Sequence, residues 1–361
     1  MVSVDHNHIV IIGGATTQIT LLEASKHGVA QGASGKAGGL VAKWAYPKEL
    51  VKVSFAEHVR LAEKYNGKDK WGWRYVGCGS WSGRGDLSHF NDEEQQRGLK
   101  EKKSLEKTLG LGEDWKQKKN SRADTGLPDD LNWIREDLTD SYSSMAPNGH
   151  TAQVHPYLFT NSMLDLAKEQ GVKYFFSSKA TSIDVDQSNH SITDVTYVDS
   201  TTGETRTIPA TQVIITAGAW SPSLIPQLPI RGTRAHNISY PPKYHKRTGP
   251  GADPEIYARP DNEVYCCGPE SIHGHVSSIS NELKEGTVDK KQACFLPNVD
   301  SGGGPIVGEA HHIMKGLFIA TGHTCWGICN APGTAKALAE LIFDGKISCA
   351  NLKKLDPGQF L

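Results

Sequence analysis

The sequence predicts an α/β fold in which a mostly parallel sheet is assembled from separated stretches of the chain, with β-rich insertions between them. Runs typical of buried parallel strands occur at the start, in the middle and at the end, in residues 9–14, 212–217 and 317–321. Glycine-rich sequence follows each run, and short strands are predicted between them. The 361 residues suffice for one large or two medium domains, because single cores usually stop growing near ~250–300 residues.

Composition excludes several classes of protein. Thirty-nine Lys and Arg oppose forty Asp and Glu, so the formal charge of −1 argues against a nucleic-acid partner. No apolar stretch approaches the ~20 residues of a transmembrane helix, and the first residues lack the pattern of a secretory signal. The seven cysteines include an adjacent pair, which favours reduced thiols and a cytoplasmic protein over a disulfide framework. No histidine or cysteine spacing indicates a metal site.

The first two predicted strands form an incomplete nucleotide-binding unit. Residues 9–12 end in Gly13 and Gly14, and the strand at 19–23 ends in Glu23. In the complete unit, glycines admit a pyrophosphate, a helix supplies N–H groups and an acid holds a ribose. Only four residues separate Gly14 from the second strand, whereas parallel neighbours usually need a crossover of ~10–12 residues. We therefore expect a truncated unit, with the two strands either paired as an antiparallel hairpin or placed apart.

The next elements combine helices with a glycine-rich loop. Residues 32–39, Gly-Ala-Ser-Gly-Lys-Ala-Gly-Gly, predict a loop whose N–H groups suit a phosphate or a polar ring edge. Apolar spacing predicts a helix over 48–65, and a second helix over 156–170 begins with a proline and ends before a glycine. The charged stretch at 91–120 predicts an exposed excursion. Residues 228–268 predict antiparallel strands, followed by a helix at 276–285.

Two further segments combine a strand, a glycine turn and a helix start. In residues 213–222, Ser221 and Pro222 fit the N-cap and the first position of a helix. In residues 322–333, a glycine-rich turn leads into a helix predicted from residue 331. The N-terminus of such a helix stabilises a negative charge.

In this order, the motifs resemble the FAD-dependent amine oxidoreductases typified by D-amino-acid and glycine oxidases, and in particular a fungal, cytosolic branch of that family. The segments that carry the resemblance are Ile9–Gly14, Leu21–Ser25, Gly32–Leu40, Ala217–Pro222, Arg231–His236, Pro305–Gly308 and Gly322–Gly333. The resemblance implies a Rossmann-like FAD-binding domain with a truncated first βαβ unit, in residues 1–60, 150–225 and 305–361. It also implies a β-rich substrate or cap domain in residues 61–149 and 226–304.

The same resemblance implies the residues that contact FAD. Gly13 and Gly14 would begin the pyrophosphate turn, Glu23 would bind the adenosine ribose and Ala180 would lie beside the adenine. The residues implied near the pyrophosphate and the flavin ring are Ser34, Gly35, Lys36, Gly39, Ala217, Gly218, Trp220, Gly308, Gly322, His323, Trp326, Gly327 and Ile328.

The implied activity is oxidation of the C–N bond of an amino acid or secondary amine, by hydride transfer to the flavin and with O₂ as electron acceptor. This chemistry demands no dedicated acid or base, so no catalytic residue is assigned. The candidates for catalytic or substrate contacts are Arg231, Arg234, Arg259, Tyr240 and Tyr257. His323 is a further candidate, which either hydrogen-bonds the flavin or completes its own turn. A guanidinium can fix a carboxylate through two hydrogen bonds, although each arginine also fits an ordinary surface ion pair.

The shortened first unit leaves a second hypothesis open. A truncated isoform or pseudoenzyme would keep the fold, bind FAD weakly and act as an interaction protein in the cytosol or at endosomes. A NAD(P)-dependent dehydrogenase is disfavoured, because the nucleotide motif is incomplete while the C-terminal motif is of the flavin type. FAD would raise the thermal stability of a protein that binds it. It would leave the thermal stability of a protein without FAD binding unchanged.

Overall fold

The fold is described from a computed structural model that covers residues 9–12, 19–86, 121–240, 254–268 and 272–361. The side chains of residues 9–12 and 238–240 lie outside this description, as does the excursion predicted at 91–120. The chain divides into two compact units. The larger unit comprises residues 1–75, 149–234 and 294–361, and the smaller unit comprises residues 76–148 and 235–293.

The described residues form strands and helices with the following bounds. The strands are Ile9–Ile12 (β1), Ile19–Leu22 (β2), Leu40–Ala42 (β3), Arg74–Tyr75 (β4), Gly79–Gly83 (β5), Thr139–Ser144 (β6), Thr151–Gln153 (β7), Lys173–Phe175 (β8), Ser178–Val185 (β9), Ile192–Asp199 (β10), Thr205–Pro209 (β11), Gln212–Ile215 (β12), Ile230–Tyr240 (β13), Glu255–Ala258 (β14), Val264–Gly268 (β15), Lys290–Val299 (β16), Ile306–Glu309 (β17) and Leu317–Thr321 (β18). The helices are Ala33–Lys36 (α1), Lys48–Tyr65 (α2), Gly67–Trp71 (α3), Arg122–Thr125 (α4), Pro156–Glu169 (α5), Ile272–Ile279 (α6), Asn281–Glu285 (α7) and Gly327–Asp344 (α8).

A six-stranded sheet organises the larger unit, in the order β17-β18-β12-β1-β2-β8. Its central strands are parallel to one another, and β17 pairs antiparallel with β18. Both faces are buried: Val213 and Ile215 belong to one apolar cluster, whereas Ile214 belongs to another that includes residues of α5 and α8. Successive residues of a strand point to opposite faces, which explains the uninterrupted apolar run. The predicted α/β class is confirmed.

The expected arrangement of the first two strands is wrong. β1 and β2 are parallel neighbours, with Ile9 opposite Ile19 and Ile12 opposite Leu22. Seven Cα–Cα steps from Ile12 to Ile19 reach up to roughly 25 Å, whereas returning along a four-residue strand and across one strand spacing needs only about 11 Å. A six-residue link is therefore long enough for a parallel crossover, although it is too short to include an ordinary helix. Residues 13–18 themselves lie outside the described part.

Two long helices match their predictions, and the C-terminal helix does not. α2 spans the predicted residues, and α5 begins at Pro156 and ends before Gly171. α8 begins at Gly327 rather than at residue 331, which places Pro332 inside the helix. Proline is tolerated there because another side chain replaces its missing hydrogen bond, as the candidate site shows.

Three local predictions are also corrected. The loop predicted at 32–39 contains the short helix α1. Ser221 and Pro222 do not start an α-helix but lie in the 3₁₀ segment Gly218–Ser223, where the Ser221 hydroxyl donates to the Gly218 carbonyl at 2.8 Å. The helix predicted at 276–285 is two helices, α6 and α7, because the Ser280 hydroxyl caps α7 by accepting the Leu283 N–H.

The smaller unit contains the antiparallel strands predicted at 228–268. β15 pairs antiparallel with both β14 and β13. One face of this sheet is apolar, since Ile256 and Cys266 belong to a cluster with Ile272 and Val276 of α6. Among the described helices, none has the length and apolar character needed to cross a bilayer.

Candidate functional site

The candidate site lies at the carboxyl edge of the parallel strands in the larger unit. Gly218 follows β12 and Gly322 follows β18, and these neighbouring strands end at the same edge. The contact is direct, because the Thr321 hydroxyl donates to the Gly218 carbonyl at 3.1 Å. The Ser221 hydroxyl, 2.8 Å from the same carbonyl, fixes it further. Segments about 100 residues apart in sequence therefore meet, as the motif analysis requires.

Four of the predicted glycines are required by packing within the protein. A Cβ at Gly35 would overlap the Ala30 carbonyl, and one at Gly39 would overlap the Val154 carbonyl. A Cβ added at Gly308 would lie 2.8 Å from Pro357 Cδ, and one added at Gly322 would lie 2.7 Å from Val299 Cγ2. These distances are too short for a side chain, so these four glycines do not by themselves indicate a ligand.

Three other glycines border open space. A Cβ at Gly32 or Gly218 would meet no described heavy atom within 4 Å, and one at Gly327 would meet only His323 Cβ at 3.8 Å. Gly32 and Gly327 have ordinary negative φ values of −98° and −57°. Packing against the described residues does not explain these glycines, whereas a ligand lying against the backbone would. The sequence analysis assigned Gly327 to the site but missed Gly32, the first residue of its glycine-rich run.

The N-terminus of α8 adds hydrogen-bond donors to the same region. Its N-cap residue, Trp326, makes no side-chain capping hydrogen bond. The first N–H groups of a helix have no partner within the helix, and they carry the positive end of its dipole. α1, which follows Gly32, contacts both α5 and α8. The N-terminus of α8 is therefore suited to a ligand with negative charge.

His323 ties the turn before α8 to the helix itself. Its Nε2 lies 3.0 Å from the Thr334 hydroxyl of α8, and burial lowers the pKa of His323 to about 4. The ring is therefore neutral near pH 7.

His58 of α2 is a residue of the site that the sequence analysis missed. Its side chain is buried, with Nε2 3.0 Å from the Ile328 carbonyl. Because a carbonyl only accepts hydrogen bonds, Nε2 carries the proton and Nδ1 does not. Nδ1 has no hydrogen-bond partner, and burial lowers the pKa of His58 to about 4. The signal in the sequence was Pro332, which cannot donate to the carbonyl four residues before it.

These two histidines predict that the protein loses stability in mild acid. An unfolded histidine titrates near 6.5, above the pKa of about 4 of His58 and His323 in the folded protein. The unfolded state binds more protons between these values, so the free energy of unfolding rises with pH across this window. Each histidine accounts for up to about 3 kcal/mol. Urea unfolding at about pH 5 and about pH 7 measures the change.

The variant His58→Gln is the control for this prediction, because glutamine does not titrate. We expect it to reduce the difference in unfolding free energy between the two pH values. Equal differences in the wild type and the variant would contradict the assignment of His58 as a buried neutral group.

The predicted adenosine contact Glu23 lies at the end of β2, on the other side of β1 from the ends of β12 and β18. Glu23 follows β2, where its carboxylate accepts the Ser25 N–H at 2.8 Å and burial raises its pKa. Ala180 of β9 is buried in the cluster that contains Leu22. Gly13 and Gly14, which precede Glu23 in the implied site, lie outside the described residues.

The other predicted cofactor residues differ in exposure. Ser34 is exposed and Lys36 ends α1. Trp220, next to Ala217 and Gly218 in the 3₁₀ turn, is 56% exposed and meets the Phe295 ring edge-on at 6.0 Å. Trp326 and Ile328 face the protein interior: Trp326 contacts the Trp44 ring at 5.6 Å, and Ile328 is buried.

The structure brings together two of the candidates for substrate contacts. In the smaller unit, the buried Arg259 guanidinium stacks on the Tyr265 ring at 4.3 Å and pairs with Glu263 at 3.2 Å. Tyr265 lies opposite Tyr257 in the β14–β15 register, so these side chains share one face. The Tyr257 hydroxyl donates to Glu255 at 2.6 Å. Burial, reinforced by that carboxylate, raises the pKa of Tyr257, so its hydroxyl stays protonated.

The remaining candidates lie elsewhere. Arg231 is 79% exposed and pairs with Asp300 at 2.8 Å, as in an ordinary surface ion pair. Arg234 is also exposed. Both belong to the part of β13 in the larger unit, and the side chain of Tyr240 lies outside the described part. Among the described residues, no group of three or more His, Cys, Asp or Glu side chains is arranged to hold a metal ion.

Comparison with known proteins gives a consistent result. The sequence model of the family DAO, "FAD dependent oxidoreductase", matches residues 13–341. The chain is 29% identical to the Saccharomyces cerevisiae protein named "Putative oxidoreductase TDA3", over 97% of this chain and 94% of that protein. Glycine oxidase from Geobacillus kaustophilus has a similar structure, with a TM-score of 0.68 at 18% identity over 97% of both chains. L-proline dehydrogenase from P. horikoshii has a TM-score of 0.68 at 16% sequence identity, over 98% of this chain and 97% of that one.

Proposed function

Because this chain belongs to the family of FAD-dependent oxidoreductases, we propose that it binds FAD in its larger unit and oxidises the C–N bond of an amino acid or another small amine. The observation that carries the proposal is the open space beside Gly32, Gly218 and Gly327, next to the uncapped start of α8. A cofactor lying against these backbones accounts for glycines that packing does not require. At Gly32 and Gly327, the φ value does not require glycine either.

The residues present fit the two ends of FAD. Glu23 has a partly buried carboxylate at the end of β2, the position from which an acid accepts ribose hydroxyls in nucleotide-binding sheets. The first N–H groups of α8 favour a group with partial negative charge, such as the pyrimidine edge of the flavin. When bound, FAD accepts the hydride from the carbon that bears the amine.

The protein's contribution is to position these groups and to keep water out. The hydroxyls of Ser221 and Thr321 fix the Gly218 carbonyl, and with it the turn that borders the open space. His323 fixes the turn before α8. Because these hydrogen bonds join groups of the protein itself, they hold the backbone of both turns in one arrangement.

We propose that Arg259 binds the carboxylate of an amino-acid substrate, and that Tyr257 turns its one O–H from Glu255 to this carboxylate when the substrate binds. Arg259 keeps its charge although only 4% of its side chain is exposed, and Tyr257 offers a protonated hydroxyl on the same face. A buried guanidinium binds a carboxylate more strongly than an exposed one, because less water competes. Glycine oxidase and L-proline dehydrogenase, by their names, act on amino acids.

We further propose that O₂ is the electron acceptor of the reaction and that the protein acts in the cytoplasm.

The proposal is tested with the purified protein. We expect the visible absorbance of bound flavin, a rise in thermal stability when FAD is added, and hydrogen peroxide formation with a subset of amino acids and secondary amines. Since the link between β1 and β2 is too short for an ordinary helix, the alternative remains a protein that keeps the fold without FAD. A colourless protein that FAD does not stabilise would support that alternative.

Arg259→Met is expected to raise KM for amino acids by roughly 10- to 100-fold, since a hydrogen bond to a charged group contributes about 1.5–3 kcal/mol. Amines without a carboxylate should be affected much less. Steady-state kinetics with matched pairs of substrates measure the difference. Arg206→Met, which removes an exposed arginine of the larger unit paired with Glu204, is the control. An unchanged KM in Arg259→Met would remove Arg259 from the site.

A further inference from the structure

We propose that His58 is a positioning residue for the flavin site, which holds the first turn of α8 in place of the backbone N–H that Pro332 lacks. The inference rests on the proposed FAD site, because it gives His58 a role in orienting the N–H groups of α8 toward the cofactor. His58 need not contact the cofactor for this role. It acts through the Ile328 carbonyl.

The need for an external donor follows from the position of Pro332. In an α-helix the N–H of each residue donates to the carbonyl four residues earlier, so residue 332 should serve Ile328. Proline has no N–H. Ile328 is only 6% exposed, so water is a poor substitute, and an unpaired buried carbonyl is costly. The first turn of α8 therefore contains a carbonyl that its own helix cannot satisfy.

His58 supplies that donor from the neighbouring helix. Its Nε2 lies 3.0 Å from the Ile328 oxygen, and the residue is 1% exposed. The other ring nitrogen has no hydrogen-bond partner among the described residues, so the polar contacts of the ring are with the backbone at the start of α8. Aromatic packing fixes the ring, which stacks on Trp73 at 5.8 Å with planes 8° apart and contacts Phe159 at 5.0 Å.

A second contact of α2 lies one turn before His58. The Ser54 hydroxyl donates to the Asn330 carbonyl of α8 at 3.2 Å. Gly333 makes this approach possible, because a Cβ there would overlap the Ser54 hydroxyl. Residues four apart on a helix share one face. This face of α2 therefore provides two hydrogen-bond donors, one to the Ile328 carbonyl and one to the Asn330 carbonyl of α8.

The position of these turns matters for the cofactor because Gly327 and the free N–H groups belong to the first one. If the Ile328 carbonyl loses its partner, the turn is expected to shift or fray toward another donor. The N–H groups then lose their fixed direction, and the stabilisation of negative charge at the helix end weakens. The expected consequence is weaker FAD binding and a lower midpoint potential of the bound flavin.

The experiment combines His58→Leu, His58→Gln and Pro332→Ala. Leucine removes the donor, and we expect the Kd for FAD to rise roughly tenfold. Glutamine keeps an N–H donor and should retain most of the affinity. Pro332→Ala restores the backbone N–H, so adding His58→Leu to it should have a much smaller effect than in the wild type. Titration of the apoprotein with FAD, the visible spectrum and the midpoint potential are the readouts.

The control is His275→Leu, which removes a buried histidine of the smaller unit and should lower stability without changing the spectrum or potential. The inference is overturned if His58→Leu lowers Tm but leaves Kd, spectrum and potential unchanged, since its role is then only structural. It is also overturned if Pro332→Ala does not reduce the effect of His58→Leu. A wild-type protein that binds no flavin overturns the proposed function, and this inference with it.

Discussion

Gly327→Val is expected to weaken flavin binding strongly while the apoprotein keeps its fold. Gly327 has a helical φ of −57°, and a Cβ there meets only His323 Cβ, at 3.8 Å. The backbone therefore accepts a side chain, which would project into the space that we assign to the cofactor. Overfilling a packed site costs about 1–3 kcal/mol, so we expect FAD affinity to fall roughly 10- to 100-fold. Flavin absorbance of the purified variant and its apoprotein Tm measure the two effects.

Gly77→Val is the matched control for this variant. Gly77 lies in the smaller unit, and a Cβ there also meets no described atom within 4 Å. We expect this variant to keep both flavin and stability. Full flavin retention by Gly327→Val would remove the start of α8 from the cofactor site.

Gly39→Ala is expected to destabilise the fold itself. Gly39 has a φ of +89°, a conformation that costs an L-residue about 1–2 kcal/mol. The added Cβ would also overlap the Val154 carbonyl and approach Pro156 Cδ to 3.0 Å, which adds an overpacking penalty of about 1–3 kcal/mol. We therefore expect the free energy of unfolding of the apoprotein to fall by about 2–5 kcal/mol. Urea unfolding monitored by circular dichroism measures it.

Gly32→Ala, in the same glycine-rich run, provides the comparison. Its Cβ meets no described atom within 4 Å and its φ of −98° is negative, so only its ψ of −147° departs from the usual range. We expect this variant to unfold like the wild type but to bind FAD less tightly. If Gly39→Ala is as stable as the wild type, or Gly32→Ala is the less stable of the two, the division of these glycines into packing and cofactor positions is wrong.

The longer elements of the fold could be predicted because their signals are local. α2 and α5 follow from apolar spacing and from the proline and glycine at the ends of α5. The parallel pairing of β1 and β2 could not, because the rule for crossover length describes links that contain a helix. The true start of α8 was missed for a related reason. Pro332 normally marks a first turn, and only the contact with His58 allows it deeper in the helix.

The candidate site was predictable as a set of motifs but not as an arrangement of contacts. The glycine turns at Gly218 and Gly322 are visible in the sequence, and their contact follows from strand order. Which glycines serve packing and which border open space depends on neighbours far along the chain, such as Val154 beside Gly39. Likewise, Arg231 and Arg259 look alike in sequence, and only burial distinguishes the exposed ion pair from the enclosed guanidinium.

The sequence by itself determined the α/β class, the family and the types of residue available to a flavin site, since these depend on short-range periodicity and on motifs that recur as contiguous strings. The tertiary structure alone decided that β1 and β2 run parallel, that Gly39 packs against the Val154 carbonyl, and that His58 satisfies the Ile328 carbonyl. Each of these is a contact between segments brought together by the sheet and by the packing of α2 on α8. A hydrogen bond or an overlap acts over a few ångströms of space, whatever the separation along the chain.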